Sequence, residues 1–326
     1  MTVLVTGVAG FIGSHVARAL LDRGEQVIGI DNLNDYYDPA LKEARLAQFK
    51  GRNAFAFQRL DVSDRAAILG LAEAHPEITR VVHLAAQAGV RYSLENPFAY
   101  IDANVMGQQV MIEACRRLPR CAHFVYASSS SVYGANGKLP FSVEDPVDRP
   151  VSLYAATKRA GELMAYTAAH LYRLPSTGLR FFTVYGPWGR PDMSAYIFTD
   201  AIFAGRPITI FNKGDMRRDF TYIDDIVAGT LNALDRPPAD DGAAPPQRIY
   251  NLGNHKSEDL MRFIGVLEAA CGREAIKEFA PMQPGDVKET YADIKASRRD
   301  LDFAPHTSID EGLPRFVAWY RKYHKV

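Results

Sequence analysis

Tyr154 and Lys158 stand four residues apart in Tyr154-Ala155-Ala156-Thr157-Lys158, a spacing that puts a phenol and an ammonium on one face of a helix. A tyrosine is a poor base at neutral pH, its ordinary pKa being about 10. Positive charge beside it favours the phenolate and brings that value down. Lys158 supplies one such charge, and a phenolate so placed can take the proton from a substrate hydroxyl. Upstream, Ser128-Ser129-Ser130-Ser131-Val132-Tyr133-Gly134 ends an apolar run, so hydroxyls at a strand end can hydrogen-bond the reacting oxygen. The plainer alternatives are a packed tyrosine, a solvated lysine and a polar turn. With 16 tyrosines in the chain, one such pair decides nothing alone.

The start of the chain supplies what the pair would work with. Val3-Leu4-Val5-Thr6 is a buried-strand pattern that breaks into Gly7, Gly10 and Gly13 and restarts as a helix. Glycine lets the backbone turn tightly and approach a ligand with no Cβ in the way, and the helix after it aims free N–H groups at an anion. Further on, Gln26-Val27-Ile28-Gly29-Ile30 ends in Asp31, where a carboxylate can hydrogen-bond an adenosine ribose. Turn, helix and acid describe a dinucleotide site. Asp31 would repel a 2′-phosphate, so the expected cofactor is NAD rather than NADP. An oxidised nicotinamide is then the second positive charge near Tyr154 and takes hydride from the carbon whose hydroxyl loses its proton. A tight strand–helix connection without ligand is the competing explanation of the glycines.

Strand-like and helix-like patterns alternate through the first half. The reading places helices at 11–23, at 63–75 with Ser63 as cap, at 97–117 and at 153–172. Strands fall at 3–6, 27–30, 54–60, 81–86, 124–128 and 177–182, and residues 32–50 form a loop with a short helix. The alternation predicts an α/β fold, a Rossmann-type doubly wound parallel sheet with ligand loops at the carboxyl ends of its strands. Beyond Thr183 the segments shorten and prolines and glycines multiply, as in a smaller C-terminal α/β substrate lobe. The expected division is 1–182 for the cofactor and 183–326 mainly for substrate, with the chain interweaving between the two. Residues 239–247 read as an exposed loop and 310–323 as an amphipathic structural helix.

Lys plus Arg and Asp plus Glu each number 38, a net charge of zero, which argues against a general nucleic-acid binder but not against a local pocket for one small anion. Cys115, Cys121 and Cys271 are an odd number without metal-like spacing and read as packing residues in a reducing compartment, with no metal expected. There is no signal-peptide pattern and no apolar run as long as a membrane span, so a soluble cytoplasmic protein without membrane partners is expected.

The glycine turn, Asp31, Asp61-Val62, Leu84-Ala85-Ala86, Asn104, the serine run and Tyr154/Lys158 resemble the extended short-chain dehydrogenase/reductases, specifically nucleotide-sugar epimerases, over essentially the whole chain. Arg180-Phe181-Phe182-Thr183-Val184-Tyr185-Gly186-Pro187, Arg218-Asp219-Phe220-Thr221-Tyr222-Ile223-Asp224-Asp225 and Gln283-Pro284-Gly285-Asp286 are later landmarks of that family. Three further segments, Asn34 to Pro39, Gln87 to Ser93 and Gly186 to Met193, resemble the UDP-glucuronate 4-epimerases within it. The resemblance implies Tyr154 as base, Lys158 as its electrostatic and ribose-binding partner, and Ser129 as hydrogen-bond donor to the 4-oxygen. It implies that Gly7, Gly10, Phe11, Ile12, Gly13, Asp31, Asn32, Asp61, Val62, Leu84, Ala85, Ala86, Gln87, Asn104 and Tyr185 surround NAD together with Tyr154 and Lys158. Thr183, Phe211, Arg218 and Asp286 would hold the UDP portion, with Arg91 and Ser129 to Ser131 also among the substrate contacts. Arg218 suits a diphosphate through its planar fork, though a salt bridge with Asp215 or Asp219 competes for it. A homodimer, through helices near 97–117 and 153–172, is implied in the same way.

Related enzymes that eliminate water or decarboxylate tend to carry carboxylates directly after the serine or threonine, where this chain has Ser130 and Ser131. The 4-keto intermediate is thereby left to turn over and take hydride back on its other face. In glucuronate that ketone is β to the carboxylate and loses carbon dioxide readily. The expectation is that Ser130, Ser131 and Thr183, with Arg190 nearby, grip the carboxylate, against the alternative that the serines satisfy backbone groups and Arg190 pairs with Asp192. A 4-epimerase of a neutral UDP-sugar (UDP-galactose or UDP-N-acetylglucosamine), a UDP-glucuronate decarboxylase and a non-catalytic NAD-binding sensor are the other readings.

Overall fold

A computed structural model describes residues 1–282 and 287–326. The first half runs β1 (Thr2–Thr6), α1 (Phe11–Asp22), β2 (Gln26–Asp31), α2 (Pro39–Ala47), β3 (Phe55–Arg59), α3 (Arg65–Ala74) and β4 (Ile78–His83). Two single turns follow, α4 (Tyr92–Glu95) and α5 (Pro97–Tyr100), then a π-helical turn over Ile101–Met106, α6 (Gly107–Arg117), β5 (His123–Ser129), α7 (Leu153–Tyr172) and β6 (Ser176–Phe181). The second half contributes β7 (Thr183–Tyr185), α8 (Ser194–Ala204), β8 (Ile208–Ile210), β9 (Arg217–Arg218), β10 (Phe220–Tyr222), α9 (Ile223–Leu234) and β11 (Gln247–Leu252). It closes with β12 (Glu258–Asp259), α10 (Leu260–Cys271), β13 (Lys277–Phe279), β14 (Glu289–Thr290), α11 (Lys295–Leu301) and α12 (Ile309–His324).

Seven strands form one parallel sheet in the order β11-β6-β5-β4-β1-β2-β3. The winding reverses between β1 and β4, which opens a crevice at the carboxyl end of β1, where the glycine turn lies. Alternate residues of each strand serve opposite faces: Val3 and Val5 of β1 join one apolar core with α1 and α9, and Leu4 joins the other with α3, α6 and α7. The fold is therefore the α/β Rossmann type expected. Its seventh strand comes from residues 247–252, beyond the point where the sequence rhythm loosens, and Gln247, read as loop, opens it.

Local differences have local causes. Asp64 rather than Ser63 caps α3, accepting from the Ala67 N–H at 3.0 Å, because Ser63 gives its hydroxyl to Asp61 at 2.7 Å. The stretch read as one helix over 97–117 carries the π-helical turn in its middle, which swings Asn104 inward to be clamped by the Gln87 backbone and Thr157. Among the described residues no helix is long and apolar enough to cross a membrane.

Candidate active site

The backbone after β1 turns at Gly7 with φ +69°, and a Cβ there would lie 2.7 Å from the Ala85 nitrogen. A Cβ on Gly13 would meet the Gly7 carbonyl oxygen at 2.0 Å, so α1 can approach the turn only because residue 13 has no side chain. Asp31, at the end of β2, is nearly buried and oriented by the N–H groups of Ala9 (3.1 Å) and Leu33 (2.9 Å). Asn32 donates to Asp61 at 2.8 Å, which joins the ends of the two neighbouring strands into one wall.

All of these face a cavity of about 1240 Å³, room for a dinucleotide and a second nucleotide ligand. Gly7, Gly10, Phe11, Ile12, Gly13, Asp31, Asn32, Asp61, Val62 and Leu84 to Gln87 line its cofactor side. Close backbone approach at two glycines, a helix N-terminus and a carboxylate two strands into the sheet fit NAD. Asn104 does not reach the cavity; it accepts from the Gln87 N–H at 2.8 Å and donates to the Gln87 carbonyl at 3.0 Å, holding the lining loop in place. Tyr185, expected beside the cofactor, is not on the wall either. Its ring is packed in the core under α12, where a Cβ on Gly312 would touch it, and its hydroxyl donates to the Ser308 carbonyl at 3.1 Å.

Across the cavity lie Ser128 to Ser131, Tyr154 and Lys158. Burial raises the Tyr154 phenol above its ordinary value, against the lowering effects of the Ser129 hydroxyl and the positive charge of Arg190. The protein's own surroundings therefore leave the lowering expected of this phenol to the charge that a bound oxidised nicotinamide would add. Burial also pushes the Lys158 ammonium down to about 8, and its Nζ donates to the Ala127 carbonyl at 2.9 Å. The serines hydrogen-bond among themselves, Ser129 Oγ donating to Ser131 Oγ at 3.1 Å and accepting from the Ser131 N–H at 3.2 Å.

The helix bearing the pair is fastened by a residue the sequence reading passed over. Glu162, one turn after Lys158 on α7, is buried and accepts from Arg180 of β6 at 2.8 and 2.9 Å, from Ser128 of β5 at 2.6 Å and from Arg159 at 3.1 Å. Arg45 is a second such residue. Fully buried on α2, it donates to the Ala9 carbonyl of the glycine turn (3.0 Å), to Tyr37 Oη (2.6 Å) and twice to the Trp188 carbonyl (3.1 and 2.7 Å). It thereby ties the cofactor turn to the loop that carries Arg190, in which Trp188 is held at φ +63°, a conformation costly for a side-chain-bearing residue. Periodicity could not reveal either, since their partners lie far away in sequence.

On the substrate side, Arg91, Thr183, Arg190, Phe211 and Arg218 all line the cavity. The Arg91 guanidinium lies over the Phe211 ring at 5.2 Å, closing one wall from both halves of the chain. Arg218 donates to the carbonyls of Arg217 (2.9 Å) and Lys288 (3.0 Å). Of its expected competitors, Asp215 pairs with Lys288 at 2.6 Å, and Asp219 is buried, accepting from Thr221 and the N–H groups of Asn254 and Ala292. Arg190 pairs with Asp192, the alternative weighed for it. Asp286 lies outside the described residues. No group of His, Cys, Asp and Glu among the described residues could hold a metal ion.

Fold and site together define a Rossmann-type protein with a tyrosine–lysine pair facing a dinucleotide crevice. The chain belongs to the NAD dependent epimerase/dehydratase family, whose model matches residues 3–253. It is 48% identical over 334 residues to a probable UDP-glucuronate 4-epimerase of Rhizobium meliloti, covering 98% of this chain and 97% of that one. To UDP-glucuronate 4-epimerase 1 of Arabidopsis thaliana it is 47% identical, over 99% of this chain and 77% of the relative. Among solved structures, UDP-glucuronic acid 4-epimerase from Bacillus cereus in complex with UDP-glucuronic acid and NAD superposes with a TM-score of 0.90 at 34% identity, covering 99% of this chain and all of that one.

Proposed function

We infer that this chain is an NAD-dependent UDP-glucuronate 4-epimerase, interconverting UDP-glucuronate and UDP-galacturonate. The observation that carries the reading is one cavity in which the cofactor turn, the Tyr154–Ser129 pair and the hydroxyls of Ser130, Ser131 and Thr183 face each other. NAD, when bound, supplies the acceptor and then the donor of hydride at C4. Tyr154 takes the proton of the C4 hydroxyl and gives it back after inversion, with Ser129 donating a hydrogen bond to the same oxygen. Lys158 adds positive charge beside the cofactor and favours the phenolate there. Arg218 and Phe211, which line the substrate side of the cavity, take the UDP portion. The hydroxyls of Ser130, Ser131 and Thr183 hold the carboxylate near the ring plane, so that the carbon–carbon bond to it stays poorly aligned with the ketone and carbon dioxide is retained.

The functional unit is a homodimer formed through α6 and α7. Leu163, Tyr166, Leu171 and Tyr172 of α7 are each about half exposed, beside Leu94 and Phe98 at more than three-quarters. Such an apolar patch on a water-facing helix pair is the mark of an interface. A cytoplasmic location suits three cysteines that are all free thiols.

The test is NMR analysis of UDP-glucuronate incubated with purified protein and no added cofactor, beside UDP-glucose and UDP-N-acetylglucosamine. UDP-galacturonate should accumulate from the first and neither neutral sugar should be inverted at a comparable rate. Release of carbon dioxide with a UDP-pentose as the main product would replace the reading with a decarboxylase.

A further inference from the structure

Three segments far apart in sequence, 34–39, 87–93 and 186–193, meet at one corner of the cavity. Tyr36 Oη donates to Asp192 Oδ2 at 3.0 Å. Arg190 donates from Nε to Asp192 Oδ1 at 3.0 Å and from Nη2 to Oδ2 at 2.5 Å. The Tyr36 ring leans on Tyr92, with centroids 4.8 Å apart, and its hydroxyl uses the space left by Gly89, where a Cβ would lie 2.6 Å from it. Tyr36, Arg190 and Asp192 line the same cavity as Ser129 to Ser131, Tyr154 and Thr183.

A guanidinium facing an acid sugar would ordinarily take its carboxylate in a two-bond fork, a strong and strongly oriented contact. Here one edge of the fork already holds a carboxylate of this chain. That matters for an epimerase because the oxidised sugar must turn to present its other face. An arginine bonded to the sugar through two hydrogen bonds would keep it in one pose. We propose that Asp192, held in place by Tyr36, is a positioning residue that occupies Arg190, leaving the substrate carboxylate to the neighbouring hydroxyls and the oxidised sugar free to rotate. The inference rests on the UDP-glucuronate reading above. Asp192 acts as a built-in substitute for the substrate carboxylate, and its effect is confined to substrates that carry one.

The test is steady-state kinetics of Asp192→Asn, Tyr36→Phe and the double variant Asp192→Asn/Arg190→Gln on UDP-glucuronate, with UDP-glucose as a competitive inhibitor. Asparagine keeps the shape of Asp192 and removes its charge, which frees Arg190 for the substrate. KM for UDP-glucuronate should fall about tenfold in Asp192→Asn, the scale of one charge-assisted contact, and kcat should fall by at least as much. The inhibition constant of UDP-glucose, which has no carboxylate, should stay within about twofold because no new contact forms. The double variant, with no arginine to be freed, should recover KM toward the wild type, whatever the loss of the Arg190 charge near Tyr154 does to kcat. Tyr36→Phe should move them in the same direction by less, and it decides the matter if Asp192→Asn does not fold. Unchanged or raised KM in the folded variants, or equal changes for both sugars, would overturn the proposal. Wild-type turnover of UDP-glucuronate separates the two ideas: its absence overturns the functional reading itself, whereas normal turnover with indistinguishable variants overturns this inference alone.

Discussion

Tyr154, the proposed base, and Lys158 are both shaped by burial, which moves their pKa values in opposite directions. Burial raises the Tyr154 phenol and lowers the Lys158 ammonium to about 8, so each side chain is pressed toward its neutral form. Tyr154→Phe should reduce epimerisation by about 10²- to 10⁴-fold, the usual worth of a positioned acid–base group. NAD should be retained in that variant, since the glycine turn and Asp31 are untouched, and absorbance of nucleotide released from the denatured protein checks this. For Lys158 the prediction concerns stability. An unfolded lysine holds its proton up to its ordinary 10.5, but the folded one releases it near 8, so the unfolded state binds more protons between those values. Stability contributed at this site therefore rises as pH climbs from 8 to 10.5. Urea unfolding of wild type and Lys158→Met across that window should show the wild type gaining on the variant as pH increases.

The elements that carry these residues are fixed by contacts between strands and helices rather than by either alone. Glu162 joins α7 to β5 and β6 through Ser128 and Arg180, and burial, which works against its ionisation, is outweighed by the Arg180 guanidinium, holding the carboxyl below its usual 4.5. Removing one partner of a buried pair strands the other charge, so Glu162→Gln should cost about 3–5 kcal/mol in urea unfolding. The stabilisation is present above the unfolded carboxyl's pKa and is lost as pH falls below it. The variant's deficit should therefore shrink in acid, and equal deficits at pH 7 and pH 4 would contradict the assignment. Arg45 does for the Arg190 loop what Glu162 does for α7, through carbonyl oxygens instead of a carboxylate.

For the molecule as a whole, the topology brings the serine run and the tyrosine–lysine pair into the same crevice as the cofactor turn. β1 and β2 present the glycine turn and Asp31; β5 and α7, across the reversal of winding, present Ser129, Tyr154 and Lys158. The outer face of α7 is left apolar, beside a groove of about 230 Å³ between α6 and α7 lined by Ile112, Leu163, Met164 and Leu171. Light scattering on the purified protein should give twice the mass of 36.2 kDa, and Leu163→Glu with Leu171→Glu should give the monomer. A monomeric wild type would remove the proposed interface.

Much of this is legible in the sequence. A strand that breaks into glycine, an acid at the end of the next strand and a Tyr-x-x-x-Lys helix are local patterns, because each depends on the period of one element and the chemistry of its end. They determined the fold type and the dinucleotide site, and they single out the tyrosine proposed as base. Tyr185 shows the limit: it stands in a recognisable motif, but which way its ring points depends on α12, more than a hundred residues later. The same holds for the strand at 247–252, for Glu162 under Arg180, and for Asp192 on Arg190 and Tyr36. Which buried charge meets which partner is set by long-range packing, and only the tertiary structure decides it, since no periodicity in one segment records the position of another.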